Sequence, residues 1–150
     1  MEKKRRVVIT GMGGLSPIGN TAEDMWENAK KGVCGIDFIK AFDTSAHKVK
    51  IAGELKGYKA EDHMDKMTAR RLARFTQLSI VASRQAIEQS GLDMEKEDAS
   101  RCCVNISSGI GGLGTIEEEH YKGIKRGFDR ISPLFVPMAI TNMAAGMTAI

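Results

Sequence analysis

The stretch Gly109-Ile110-Gly111-Gly112-Leu113-Gly114 has the G-x-G-x-x-G spacing that lets backbone amides approach a pyrophosphate. A dinucleotide fingerprint also needs an acidic residue about 20 positions on, at the end of a second strand. Here Asp129 falls instead in a Gly-Phe-Asp-Arg turn. The earlier cluster Gly11-Met12-Gly13-Gly14 has Ser16 where a third glycine should stand, and neither loop carries the Gly-Lys-Ser/Thr of a phosphate loop, so a tight strand exit is its simpler reading. Glu117 and His120 form one Glu-x-x-His pair of the di-iron type, without the second copy and the further carboxylates such a centre requires. Cys102 and Cys103, as neighbours in a strand, point to opposite faces and cannot ligate one metal together. None of His47, His63 or His120 lies in a recognisable cysteine motif, so Cys34, Cys102 and Cys103 read as structural residues rather than nucleophiles.

A basic group is harder to assign to structure alone. Lys66, Arg70, Arg71 and Arg74 cluster at the expected start of a long helix, where cations oppose the positive end of the helix dipole. Two readings stay open. One is a solvated face with counter-charges from Glu61, Asp62 and Asp65; the other is a docking patch for an acidic partner.

Around these residues the 150-residue chain is expected to fold as one domain, with no repeat or linker. Its 22 Lys and Arg against 19 Asp and Glu leave a formal charge of only +3, with the signs interspersed, and aromatics make up 5%. A basic nucleic-acid arm and a stacking platform for single strands are both excluded on those grounds. The odd cysteine count and the short apolar run Val7-Val8-Ile9 after a charged start argue against a secreted disulfide framework and a signal peptide, so a cytoplasmic setting is expected. The stretch Ser132–Ile150 has no charge, but Pro133, Pro137, Thr141, Asn142 and Thr148 interrupt it; it reads as buried core, not membrane.

The elements that must position these groups follow from pattern. Arg6–Thr10, Val49–Leu55 and Arg101–Ser107 read as strands. Helices are expected over Thr21–Lys31, with Thr21 and Asp24 in capping-box spacing, over Thr68–Ser90, and over Thr115–Arg126, with Thr115 and Glu118 so spaced. Pro137 is placed as a first helical residue, and the apolar run from Met138 to Ile150 has no stop signal, so the sequence is expected to belong to a longer protein. Strands alternating with helices give an α/β domain with a largely buried sheet.

Read together, several segments resemble one family. They are Arg5-Arg6-Val7-Val8-Ile9-Thr10-Gly11-Met12-Gly13 through Ser16-Pro17-Ile18-Gly19-Asn20, Phe42-Asp43-Thr44-Ser45 with Ala52-Gly53-Glu54, and Ala69-Arg70-Arg71 with Arg74-Phe75-Thr76-Gln77. Ser108-Gly109-Ile110-Gly111-Gly112 and Ile131-Ser132-Pro133 through Phe135-Val136-Pro137 to Asn142-Met143-Ala144-Ala145-Gly146 complete the set. The chain is similar along its whole length to the 3-oxoacyl-[acyl-carrier-protein] synthases, the condensing enzymes of type II fatty acid synthesis.

That resemblance implies a thiolase-like layered α/β fold, of which this chain covers most of the N-terminal half, so that 1–150 is part of a ketosynthase domain incomplete at its C-terminus. It implies decarboxylative Claisen condensation of an acyl thioester with malonyl-carrier protein by a homodimer. No cofactor or metal is implied, and neither the nucleophilic cysteine nor the two catalytic histidines falls within this chain. By the same resemblance Ile110 and Phe135 match acyl-pocket residues, and Arg70, Arg71 and Arg130 match basic residues facing the acyl carrier protein. The glycine loop then serves close backbone approach to a narrow acyl tunnel. The alternative is a non-catalytic, chain-length-determining partner subunit of the same fold.

Overall fold

The computed structural model describes residues 5–150, so Met1–Lys4 of the charged start lie outside the described residues. Its contacts group into two compact units, residues 5–56 with 82–97, and residues 57–81 with 98–150.

The first unit contains α1 (Ala22–Lys30), whose Thr21 cap accepts from the Asp24 amide at 3.0 Å, as the capping-box spacing predicts. Met25 is half-buried on α1, whereas Trp26 is exposed under the Lys30 ammonium. Strands β1 (Asp37–Phe38) and β2 (Ile51–Ala52) pair antiparallel, Phe38 opposite Ile51. The glycine cluster Gly11–Gly14 lies against the later part of α3 (Arg74–Ser90). A Cβ at Gly11 would strike the Ala86 carbonyl, and one at Gly13 the Ala82 carbonyl. The loop is fixed there by Gln89 Oε1, which accepts from the Met12 amide at 2.6 Å, and by Gln85 Oε1, which accepts from that of Gly14 at 3.0 Å. Both glutamines sit one helical turn apart on the same face.

The second unit holds α2 (Lys66–Arg71), the beginning of α3, α4 (Leu113–Arg126), α5 (Phe135–Ala139) and α6 (Met143–Ala149). Its buried side chains are Ala69, Leu72, Ala73, Thr76, Val81 and Ala144, mostly small ones. Small residues permit close backbone approach, and three of them, Ala69, Ala73 and Thr76, lie at the junction of α2 and α3.

That junction departs from the continuous helix expected over Thr68–Ser90. At Leu72 the backbone turns extended, with φ −114° and ψ 134°. No glycine or proline marks the break. It is held from a distance by Gln77, whose Nε2 donates to the Ala69 carbonyl at 2.8 Å and the Leu72 carbonyl at 3.1 Å. A side chain thus satisfies carbonyls that the end of α2 leaves without helical partners. The helix does stop as expected at Gly91, whose φ is +68°.

Two further boundaries move for related reasons. Helix α4 begins at Leu113, before Thr115, because Gly112 docks on α5: its amide donates to the Ala139 carbonyl at 3.0 Å. Pro137 is the third residue of α5 rather than the first, which the fold tolerates because no amide of a first helical turn has an intrahelical partner. The apolar run is not one helix, since Ile140 is extended between α5 and α6.

The sheet is smaller than expected. Among the described residues only β1 and β2 form a ladder. Residues 6–10 and 102–107 have no ladder partner, and Val7 and Ile9 are 92% and 83% exposed. A strand without a neighbour has no hydrogen-bonded register to enforce burial of alternate side chains. For the same reason Cys102 and Cys103 are exposed rather than buried small hydrophobes, and Cys34 is exposed as well. No helix is long and apolar enough to cross a membrane among the described residues.

Candidate functional site

Three segments of the second unit surround a cleft of about 560 Å³. The α2–α3 junction contributes Leu72, Ala73, Arg74, Phe75 and Leu78; the glycine loop and first two turns of α4 contribute Gly111 to Thr115 and Glu118; α5 contributes Met138. The lining is largely apolar, with one guanidinium, one carboxylate and one hydroxyl. Such a surface has room and lining for an apolar chain; the residues lining it include no thiol and no imidazole.

The glycine loop is built by backbone contact. Gly111 has φ +78°, and a Cβ there would strike the Ala139 carbonyl. A Cβ at Gly112 would strike that of Met138. The loop amides are already committed: Gly111 donates to Ser108 Oγ at 3.0 Å, Gly112 to Ala139 O at 3.0 Å and Leu113 to Gly111 O at 3.0 Å. Amides so engaged do not form the open cradle a pyrophosphate needs. The G-x-G-x-x-G spacing here serves close packing of loop on helix.

Helix α4 is anchored by Glu119, whose Oε2 accepts from the Ser132 amide at 2.7 Å, with Lys122 Nζ 3.1 Å from Oε1. The Ser132 amide, followed by Lys122, holds the Glu119 carboxyl below the usual glutamate range. No local sequence motif marks Glu119. Its amide partner is thirteen residues away, beyond local reading.

The residues matched to an acyl pocket occupy different surroundings. Ile110 is 63% exposed, Phe135 is half-buried at the start of α5, and neither lines the cleft. Of the basic residues, Arg70 and Arg71 lie exposed in the last turn of α2, and Arg130 lies exposed in a 3-10 turn, its Nε 3.5 Å from Asp129 Oδ2. The helix break changes their electrostatics. Arg70 and Arg71 face the negative end of a short helix, where cations are favoured, whereas Lys66 and Arg74 each begin a helix against its dipole. Asp65 caps α2 by accepting from the amides of Thr68 and Met67, both at 3.0 Å, and bonding to Thr68 lowers its pKa. Glu117 and His120 gain no third ligand: among the described residues no group of three His, Cys, Asp or Glu could hold a metal ion.

Solved structures define the class. The fold is that of the ketosynthases, the thiolase-like layered fold that the resemblance implies. The ishigamide ketosynthase/chain length factor matches with a TM-score of 0.87 at 21% identity, over 98% of this chain and 37% of that one. A type II PKS ketosynthase, AntDE:AntF, solved with its acyl-carrier protein, matches with a TM-score of 0.79 at 20% identity, over 97% of this chain and 38% of that one.

Residues 4–150 match the beta-ketoacyl synthase, N-terminal domain family, and the chain belongs to it. It is 52% identical over 150 residues to 3-oxoacyl-[acyl-carrier-protein] synthase 2 of Staphylococcus aureus strain COL, spanning 100% of this chain and 36% of the relative. Identity to the synthase 2 of Vibrio cholerae is 48% over 147 residues, or 98% of this chain and 36% of that one. The chain therefore spans little more than a third of the curated relatives it matches.

Proposed function

We propose that the protein acts as a 3-oxoacyl-[acyl-carrier-protein] synthase, condensing an acyl thioester with malonyl-carrier protein. The observation that carries this reading is the 52% identity to a synthase 2 along the entire chain. This chain's contribution is binding rather than bond making: an apolar cleft for an acyl chain, and exposed cations at Arg70, Arg71 and Arg130 for an acidic carrier protein. A homodimer in the cytoplasm is the setting we assign.

In the reaction a thiolate takes the acyl group, malonyl-carrier protein loses carbon dioxide, and the resulting carbanion attacks the thioester. Backbone amides stabilise the oxyanion. None of Cys34, Cys102 and Cys103 is assigned the thiolate, so residues 1–150 purified alone are expected to give no condensation. A partner-subunit role shares the same fold, which the likeness to a ketosynthase/chain length factor at 21% identity supports as fold alone.

The test is an assay of the intact protein with acyl- and malonyl-carrier protein, beside a variant with Arg70 and Arg71 both replaced by Glu. Condensation by the intact protein, with a raised KM for carrier substrate and a weaker salt dependence in the variant, supports the reading. No condensation by the intact protein overturns it in favour of the partner subunit.

A further inference from the structure

The three arginines of the α2–α3 junction are not equivalent. Arg70 and Arg71 are favoured by the carbonyl end of α2, so their placement needs no ligand to explain it. Arg74 is the first residue of α3, at its positive end, and the first turn of that helix carries no acidic residue. It is exposed, has no ion pair among the described residues, and lines the cleft.

What holds it is an aromatic face. The Arg74 guanidinium carbon lies 5.3 Å from the Tyr58 ring centroid, within cation–π range. Tyr58 is in turn stacked on His63, with centroids 5.5 Å apart and planes 12° from parallel. The Tyr58 hydroxyl is buried without a hydrogen-bond partner among the described residues, so the ring and not the hydroxyl carries the arrangement. Burial raises the phenol pKa, opposed by Arg74.

We infer that Tyr58 is a positioning residue that holds Arg74 at the mouth of the cleft, where Arg74 receives an anionic group of an acidic carrier protein as its acyl chain enters. The inference rests on the condensing-enzyme reading and adds to it. Arg70 and Arg71 give general attraction, whereas Arg74 is fixed in direction and adjoins the apolar lining formed by Leu72, Phe75 and Leu78. A ligand with negative charge on its protein surface and an apolar appendage meets both features at once.

The experiment measures KM in the intact protein for an acyl-carrier protein and for a small acyl thioester lacking the carrier, and takes their ratio. Tyr58→Leu should raise that ratio roughly two- to fivefold, the factor an exposed cation–π contact is worth. Tyr58→Phe should retain the wild-type ratio. Arg74→Gln should raise the ratio at least as far, and adding Tyr58→Leu to it should bring no further change, since both remove one interaction. Additive effects, a loss in Tyr58→Phe, or an unchanged ratio in Arg74→Gln would overturn the inference. If Tyr58→Leu does not fold, Arg74→Gln and Tyr58→Phe still decide. The two readings fail differently: if reversing Arg70 and Arg71 leaves the carrier KM unchanged, carrier docking itself is wrong. If that reversal acts and Arg74→Gln does not, only the role of Arg74 and Tyr58 is lost.

Discussion

The amide of Gly112 donates to the carbonyl of Ala139 at 3.0 Å, joining the cap of α4 to the last residue of α5 without a side chain between them. Since a Cβ at Gly112 would strike the Met138 carbonyl, Gly112→Ala should destabilise the intact protein by about 1–3 kcal/mol, the usual cost of overpacking. Gly114, also in the first turn of α4, has nothing within 4 Å of its would-be Cβ. Gly114→Ala should therefore be neutral or stabilising by up to about 1 kcal/mol. Denaturant midpoints of the two variants measure the difference, and equal effects would remove backbone contact as the reason for the glycines.

Gln77 bridges the α2–α3 break through two carbonyls. Replacing it by Ala leaves both acceptors short of a donor and should cost about 1–3 kcal/mol. Unfolding followed by circular dichroism is the measurement. A midpoint equal to wild type would mean that packing of Leu72 and Ala73 alone fixes the bend.

The Glu119 carboxyl titrates below its ordinary range because the Ser132 amide favours its charged form. Its folded pKa lies under its unfolded one, so the stability it contributes is present above the unfolded pKa and is lost as pH falls through the folded one. Glu119→Gln should remove that part of the acid sensitivity. Midpoints collected from neutral to acidic pH should fall less steeply in the variant; parallel curves would show that Glu119 adds nothing to the pH dependence.

Ile110 is exposed in this chain, so Ile110→Phe should leave the denaturant midpoint near wild type. If Ile110 borders the acyl pocket as the sequence resemblance implies, the larger side chain should disfavour long acyl primers over short ones. A confinement cost of about 1–3 kcal/mol corresponds to roughly a five- to hundredfold change in relative specificity. The ratio of kcat/KM for a short and a long acyl-carrier substrate decides, and an unchanged ratio places Ile110 outside the pocket.

Local chemistry was legible from the sequence. Thr21 caps α1, Gly91 ends α3 and Gly127, at φ +97°, ends α4, because each signal acts within a few residues of the backbone it governs. The collinear family segments likewise pointed to the ketosynthase fold, since many short matches in one order are far more specific than any single motif. Tertiary contact decided the rest. The break at Leu72 depends on Gln77, the start of α4 on Ala139, the seat of the first glycine cluster on Gln85 and Gln89, and the bonded state of Glu119 on Ser132. Each is a hydrogen bond whose partner lies outside the local repeat of helix or strand, so no periodicity encodes it. The strands expected at residues 6–10 and 101–107 show the same limit, because β-branched composition favours an extended chain but only a neighbouring strand can supply the ladder.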